Sequence, residues 1–100
     1  MSAYVIASYN IVNPEGYEPY VPAVIPLLAK HGAEVLVADF ESKPLENNPP
    51  KVTVVLRFAS EEGALNWYND PEYVAIRKYR IDNSENGVAV LCQQFTPSEM

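Results

Sequence analysis

From Ala3 the chain alternates two sets of side chains, with Val5, Ala7, Tyr9 and Ile11 on one side of an extended segment and Tyr4, Ile6, Ser8 and Asn10 on the other. Both sets are substantially apolar, so this first strand, over residues 3–12, is expected to bury two faces. Asn13-Pro14-Glu15 then marks a helix start. The asparagine side chain can accept backbone N–H groups, proline suits the first helical position, and glutamate suits the positive end of the helix dipole. Tyr17, Tyr20, Val21, Val24, Leu28 and His31 recur at spacings of three and four, on one face of a helix that ends before Gly32. Pro19, Pro22 and Pro26 each remove a backbone donor and crowd the preceding turn, at roughly 3 kcal/mol per interior proline. That helix is therefore expected to be kinked or broken.

Val35-Leu36-Val37-Ala38-Asp39-Phe40 and Val52-Thr53-Val54-Val55-Leu56-Arg57-Phe58 read as the second and third strands, both rich in β-branched residues. Residues 41–51 between them carry prolines, asparagines and charges, a composition suited to an exposed excursion. Ser60-Glu61-Glu62 opens another helix, weakened by Gly63, with Leu65 and Tyr68 facing the core and Ala64 beside them. Asp70-Pro71 ends that turn and starts the next, along which Tyr73, Ile76, Arg77 and Arg80 share a side. Residues 83–87 are expected to turn, and Val88 to Phe95 to form the last strand.

Strand, helix, strand, strand, helix pair, strand is an α+β order built on a four-stranded antiparallel sheet with helices on one face. The helices are too few to cover both faces. The other face keeps an apolar surface that predicts a partner, and twofold pairing of two such sheets, a homodimer, covers it most simply.

Length adds that this is one domain, over residues 1–96, followed by a polar tail at 97–100. Seven Tyr, three Phe and one Trp supply the bulk a disordered chain lacks. A net charge of −6 opposes binding to nucleic acid or to anionic membranes. The basic cluster Arg77-Lys78-Tyr79-Arg80 spreads around a helix, and reads either as a solvated helix end or as an anion contact through Arg77 or Arg80. The lone Cys92, inside an apolar strand, predicts a small buried residue in a reducing compartment. With no run approaching about 20 apolar residues and no secretory-type start, a cytoplasmic protein is expected.

Taken together, several segments resemble the domain-of-unknown-function 1330 family. They are the opening strand leading into Asn13-Pro14-Glu15 with Tyr17 and Tyr20, then His31-Gly32, Val54-Val55-Leu56-Arg57-Phe58, and Trp67-Tyr68-Asn69-Asp70-Pro71-Glu72-Tyr73 followed by Arg77 and Arg80. Ala33 stands where a second glycine is common in that family, and Arg57 where an acid is frequent. The resemblance implies a dimeric α+β barrel of ferredoxin-like topology. Proteins sharing that barrel include quinol-forming monooxygenases, haem-degrading enzymes and lactone isomerases, so the fold offers several chemistries and selects none.

The residues themselves narrow the choice. There is no phosphate-cradling glycine loop, no nucleophile beside a base, and no flavin, haem or nicotinamide motif, so no cofactor is expected. One histidine excludes a multi-histidine metal site within a protomer. His31 reads either as a general base or as a cap on helix carbonyls. Asp39 reads either as a cavity carboxylate with acid or base work, or as a solvated strand end, with Arg57 its candidate cross-strand partner. Tyr17, Tyr20, Trp67, Tyr68 and Tyr73 either pack the core or line a pocket, with Tyr17, Tyr20 and Trp67 the foremost pocket candidates.

The leading expectation is a homodimer binding a small, partly apolar or aromatic molecule between sheet and helices. Cofactor-independent oxygenation, isomerisation or decarboxylation there would use tyrosine, His31 or Asp39 for protons and Arg57 or Arg80 for an acidic group. The rival is a non-catalytic structural, interaction or ligand-sequestering protein.

Overall fold

The structure, a computed structural model, describes residues 1–99. Strands β1 (Ala3–Ile11), β2 (Glu34–Asp39), β3 (Val52–Phe58) and β4 (Ser84–Gln93) form one sheet in the order β2-β3-β1-β4, every neighbouring pair antiparallel. Helices α1 (Pro14–Tyr17), α2 (Tyr20–Lys30), α3 (Glu61–Tyr68) and α4 (Pro71–Ile81) provide the two crossovers. This is the split β-α-β, ferredoxin-like arrangement. Among the described residues no helix is long and apolar enough to cross a membrane.

The proline-rich helix does break. Pro19 lacks the N–H that would carry α1 forward to the Glu15 carbonyl, and the chain bends at Glu18-Pro19 before α2 begins. Pro22 is tolerated because the first turn of α2 has unpaired donors in any case, whereas Pro26 lies inside the helix. The two later caps form as read. Ser60 Oγ accepts from Gly63 N at 3.1 Å, and Asp70 Oδ1 from Glu72 N at 2.9 Å.

Pairing fixes which residues share a face. On the helix side Val35, Leu56, Val5 and Leu91 make one cross-sheet row, and Ala38, Val54, Ala7 and Ala89 the next. Tyr9 and Val52 follow, and with Phe58, Trp67, Tyr73 and the inward side chains of α2 they form the core. On the other face Val37, Val55, Ile6 and Val90 line up across all four strands, flanked by Asp39, Thr53, Ser8 and Val88 on one side and by Glu34, Arg57, Tyr4 and Cys92 on the other. No helix covers that row.

Four details differ from the sequence reading. Asn13 makes no side-chain cap; its Nδ2 donates to Asn83 Oδ1 at 3.0 Å. In α3 the buried positions are Ala64 and Trp67, while Leu65 is exposed. Strand β4 starts at Ser84, because Ser84 and Glu85 already pair with Ile11 and Asn10 beyond a register shift, and the turn is correspondingly shorter. Cys92 sits half-buried opposite Tyr4 on the uncovered face instead of inside the core.

Asn83 ties the first crossover to the last strand. Its carbonyl accepts from Val12 N and Asn13 N at 2.9 and 3.2 Å, and its Nδ2 donates to the Tyr79 carbonyl at 2.9 Å. Gly16 packs directly on this amide, leaving no room for a Cβ. Gly16→Ala should therefore dislodge Asn83 and lower stability by about 1–3 kcal/mol in urea denaturation, whereas Gly63→Ala, where a Cβ meets only ordinary contact with Ser60, should not destabilise.

Candidate functional site

The row Ala38, Val54, Ala7 and Ala89 runs across all four strands directly beneath the broken first crossover. Three of its four side chains are single methyl groups, so the sheet offers a trough where its neighbouring row offers Val and Leu. Above it lies a cavity of about 170 Å³ walled by the aromatic residues of β1, α1, α2, α3 and α4. It opens to solvent at Val21 and Ile25 of α2 and at Val35 and Phe40 by β2, which are 37–56% exposed, and the row's end residues Ala38 and Ala89 are exposed as well. Cavities of about 150 Å³ accommodate benzene, so this one fits a single ring with a short substituent.

The walls carry a few polar groups. Tyr9 and Tyr17 hydroxyls are bonded at 2.6 Å, and Tyr20 and Tyr73 hydroxyls at 2.7 Å. Burial raises the pKa of Tyr9, Tyr17 and Tyr20 above the ordinary phenol value of 10.0; Tyr17 adds to the rise at Tyr9, Tyr73 to that at Tyr20 and Tyr20 to that at Tyr17, where the hydrogen bond from Tyr9 works the other way. These phenols stay protonated at neutral pH and act as donors, not bases. Arg80, on the last turn of α4, reaches into the same wall and is 7% exposed. Burial opposes its charge, but the electrostatic influence of Tyr73 and Tyr20 outweighs it and the pKa stays raised. Trp67 stacks on Tyr73 with ring centroids 4.2 Å apart, and its buried Nε1 has no hydrogen-bond partner among the described residues.

Of the residues singled out by sequence, Tyr17, Tyr20, Trp67, Tyr73 and Arg80 converge on this cavity. His31, Asp39 and Arg57 do not line it. His31 Nε2 lies 2.8 Å from Asp70 Oδ2, which also accepts from Lys30 Nζ at 2.9 Å. Asp70 thus joins the exit of α2 to the start of α4; the His31 imidazole turns to this carboxylate, while its backbone N–H donates to the Leu27 carbonyl at 3.2 Å. Asp39 is exposed, and its Oδ1 accepts from Glu41 N at 2.8 Å in a local turn. The expected Asp39–Arg57 pair does not form. The register sets Arg57 opposite Glu34, to which it donates at 2.7 Å, and Asp39 opposite Thr53.

Sequence reasoning missed Tyr9 as a wall residue and Asp70 as a hub. Tyr9 was findable, because alternation already placed it on the face of Val5 and Ala7. Asp70's partners are 39 and 40 residues away and leave no local sign. Among the described residues no three His, Cys, Asp or Glu side chains converge as a metal set, so the groups facing a ligand are phenols, one guanidinium and one indole.

A family model described as Domain of unknown function (DUF1330) matches residues 2–93. No curated protein matches the chain. Among solved structures, a protein of unknown function from Rhodopseudomonas palustris superposes with a TM-score of 0.75 at 15% identity, over 96% of this chain and 84% of that one. A dimeric ferredoxin-like protein of unknown function from Thermobifida fusca gives a TM-score of 0.66 at 21% identity, over 94% and 92%. SnoaB, a cofactor-independent oxygenase from Streptomyces nogalater, gives 0.68 at 8% identity, over 95% and 94%. At these identities the likeness is one of fold.

Asp70 sets an acid limit on stability. Hydrogen bonds from Lys30, His31 and the Glu72 backbone hold its carboxyl far below the usual 3.8. With the folded pKa depressed, its contribution is complete above the unfolded value near 4 and is lost as pH falls through the folded pKa. Asp70→Asn, which keeps the cap, should be less stable than the native protein at pH 6, with the gap narrowing below about pH 4 in denaturant melts.

Proposed function

We propose that this chain, a member of the DUF1330 family, is a cytoplasmic homodimer that binds a small aromatic or partly apolar molecule in the cavity over the alanine trough. The observation that carries this reading is the cavity itself. A packed core leaves few voids larger than a water molecule, whereas this one has room for a ring, apolar walls, a few polar tips and a mouth between α2 and β2.

Chemistry at such a site would rest on its donors. Cofactor-independent oxygenation, isomerisation and decarboxylation all pass through a delocalised anion, which protonated phenols are suited to stabilise. The proposal therefore places stabilisation of that anion on the hydroxyls of Tyr9, Tyr17, Tyr20 and Tyr73, since His31 and Asp39 stand outside the lining. SnoaB, of the same fold, is a cofactor-independent oxygenase, which supports such use of the architecture.

The dimer is supported by the uncovered row Val37, Val55, Ile6 and Val90, an apolar band across a whole sheet face, and by the dimeric state of the Thermobifida fusca neighbour. Light scattering should give a mass twice the 11.2 kDa chain, and Val55→Glu, which places a charge at the centre of the band, should give the monomer.

Ligand binding is tested with phenol and toluene as probes. At ten times its Kd a probe should stabilise the native protein by about 1.4 kcal/mol, a rise of roughly 4–8 °C per kcal/mol in a domain of this size. Ala7→Leu, which fills the trough, should abolish the rise. An unchanged melting temperature in the native protein with both probes would remove the cavity as a ligand site.

A further inference from the structure

We infer that the cavity selects a compact aromatic monoanion, its carboxylate head paired with Arg80 and its ring lying over the trough at Ala7. This rests on the reading of the cavity as a ligand site and names what that site would take. The argument begins with charge. The chain has 13 acidic residues against 7 Lys and Arg, yet among the described residues no carboxylate stands within 4.0 Å of the Arg80 guanidinium. A guanidinium removed from water without a counter-ion is costly unless something else neutralises it.

The protein's own groups compensate only in part. The Tyr73 and Tyr20 hydroxyls, both neutral, take part of the guanidinium's hydrogen bonding, and its carbon lies 5.7 and 5.9 Å from the Tyr9 and Tyr20 ring centroids, at the outer limit of useful cation–π attraction. Arg77, three residues earlier, shows what a satisfied arginine looks like here. It stacks 4.2 Å above Tyr68, and its Nη1 approaches the Tyr68 carbonyl at 3.5 Å.

Counting donors gives the same answer. Within each tyrosine pair one hydroxyl donates to the other, which leaves the second proton of each pair free for another acceptor. The unpartnered Trp67 Nε1 and the guanidinium N–H groups beyond those that meet Tyr73 and Tyr20 add to this surplus. The lining therefore holds donors in excess, with no carboxylate side chain to receive them. A ligand carboxylate, acceptor on both oxygens and matched to the guanidinium fork, is the complement. The mouth is apolar at Val21, Ile25, Val35 and Phe40, so a second charge at the outer end of the ligand would go unmatched.

Calorimetry with benzoate and phenylacetate, each against its neutral amide, tests this on the native protein. The acids should bind at least tenfold more tightly than the amides. Arg80→Met should erase that preference, and Arg80→Lys should keep part of it. Amides binding as tightly as acids to the native protein would overturn the inference while leaving the cavity as a binding site. Acid preference persisting in Arg80→Met would overturn it too, and absence of binding by all four probes would overturn both it and the reading beneath it.

Discussion

The whole molecule hangs on the two-residue period of β1. This strand lies between β3 and β4, so its odd-numbered side chains, Ala3, Val5, Ala7 and Tyr9, meet the helices while Tyr4, Ile6 and Ser8 face away. A slip of one residue would exchange the sets. Tyr9 would lose Tyr17, Ala7 would leave the trough, and Ile6 would leave its row with Val37, Val55 and Val90. Core, cavity and uncovered face are thus consequences of one alternation, held in register on both sides.

The cavity follows from two local choices that reinforce each other. Small residues occupy one cross-sheet row, and the crossover above that row is broken by proline, so neither layer fills the space between them. The surrounding rings cannot collapse inward freely, because Tyr9–Tyr17 and Tyr20–Tyr73 are fastened by their hydroxyls and Trp67 is stacked on Tyr73. On the far side, the Asp70 cluster fixes the exit of α2 against the start of α4, so the roof is anchored at the end opposite its break.

Much of this was legible where the cause is local. The alternation of β1, the proline break, the Ser60 and Asp70 caps and the limits of β3 are each set by a few neighbouring residues, and each formed as read. The order of elements was sufficient for a four-stranded α+β sheet with helices on one face, and the family resemblance added the ferredoxin-like arrangement. What escaped depends on pairing across distance or on helix phase. Arg57 meets Glu34 and not Asp39 because antiparallel pairing sets the end of β3 against the start of β2, which leaves Asp39 opposite Thr53. Leu65 turned outward because α3, eight residues long with a glycine inside, is too short for its periodicity to fix which side faces inward. The site was half-visible: the aromatic residues and Arg80 could be named, whereas their arrangement as two hydroxyl pairs around an acid-free guanidinium required the fold.

The position of the single tryptophan has a practical corollary. Trp67 forms part of the cavity wall, is nearly inaccessible to water, and lies against Tyr68 and Tyr73. Excitation absorbed by those phenols passes to one indole whose emission colour and intensity respond to whatever stands beside it. Nature has therefore built a fluorescent gauge into the chamber wall, and occupancy can be followed optically without attaching a dye.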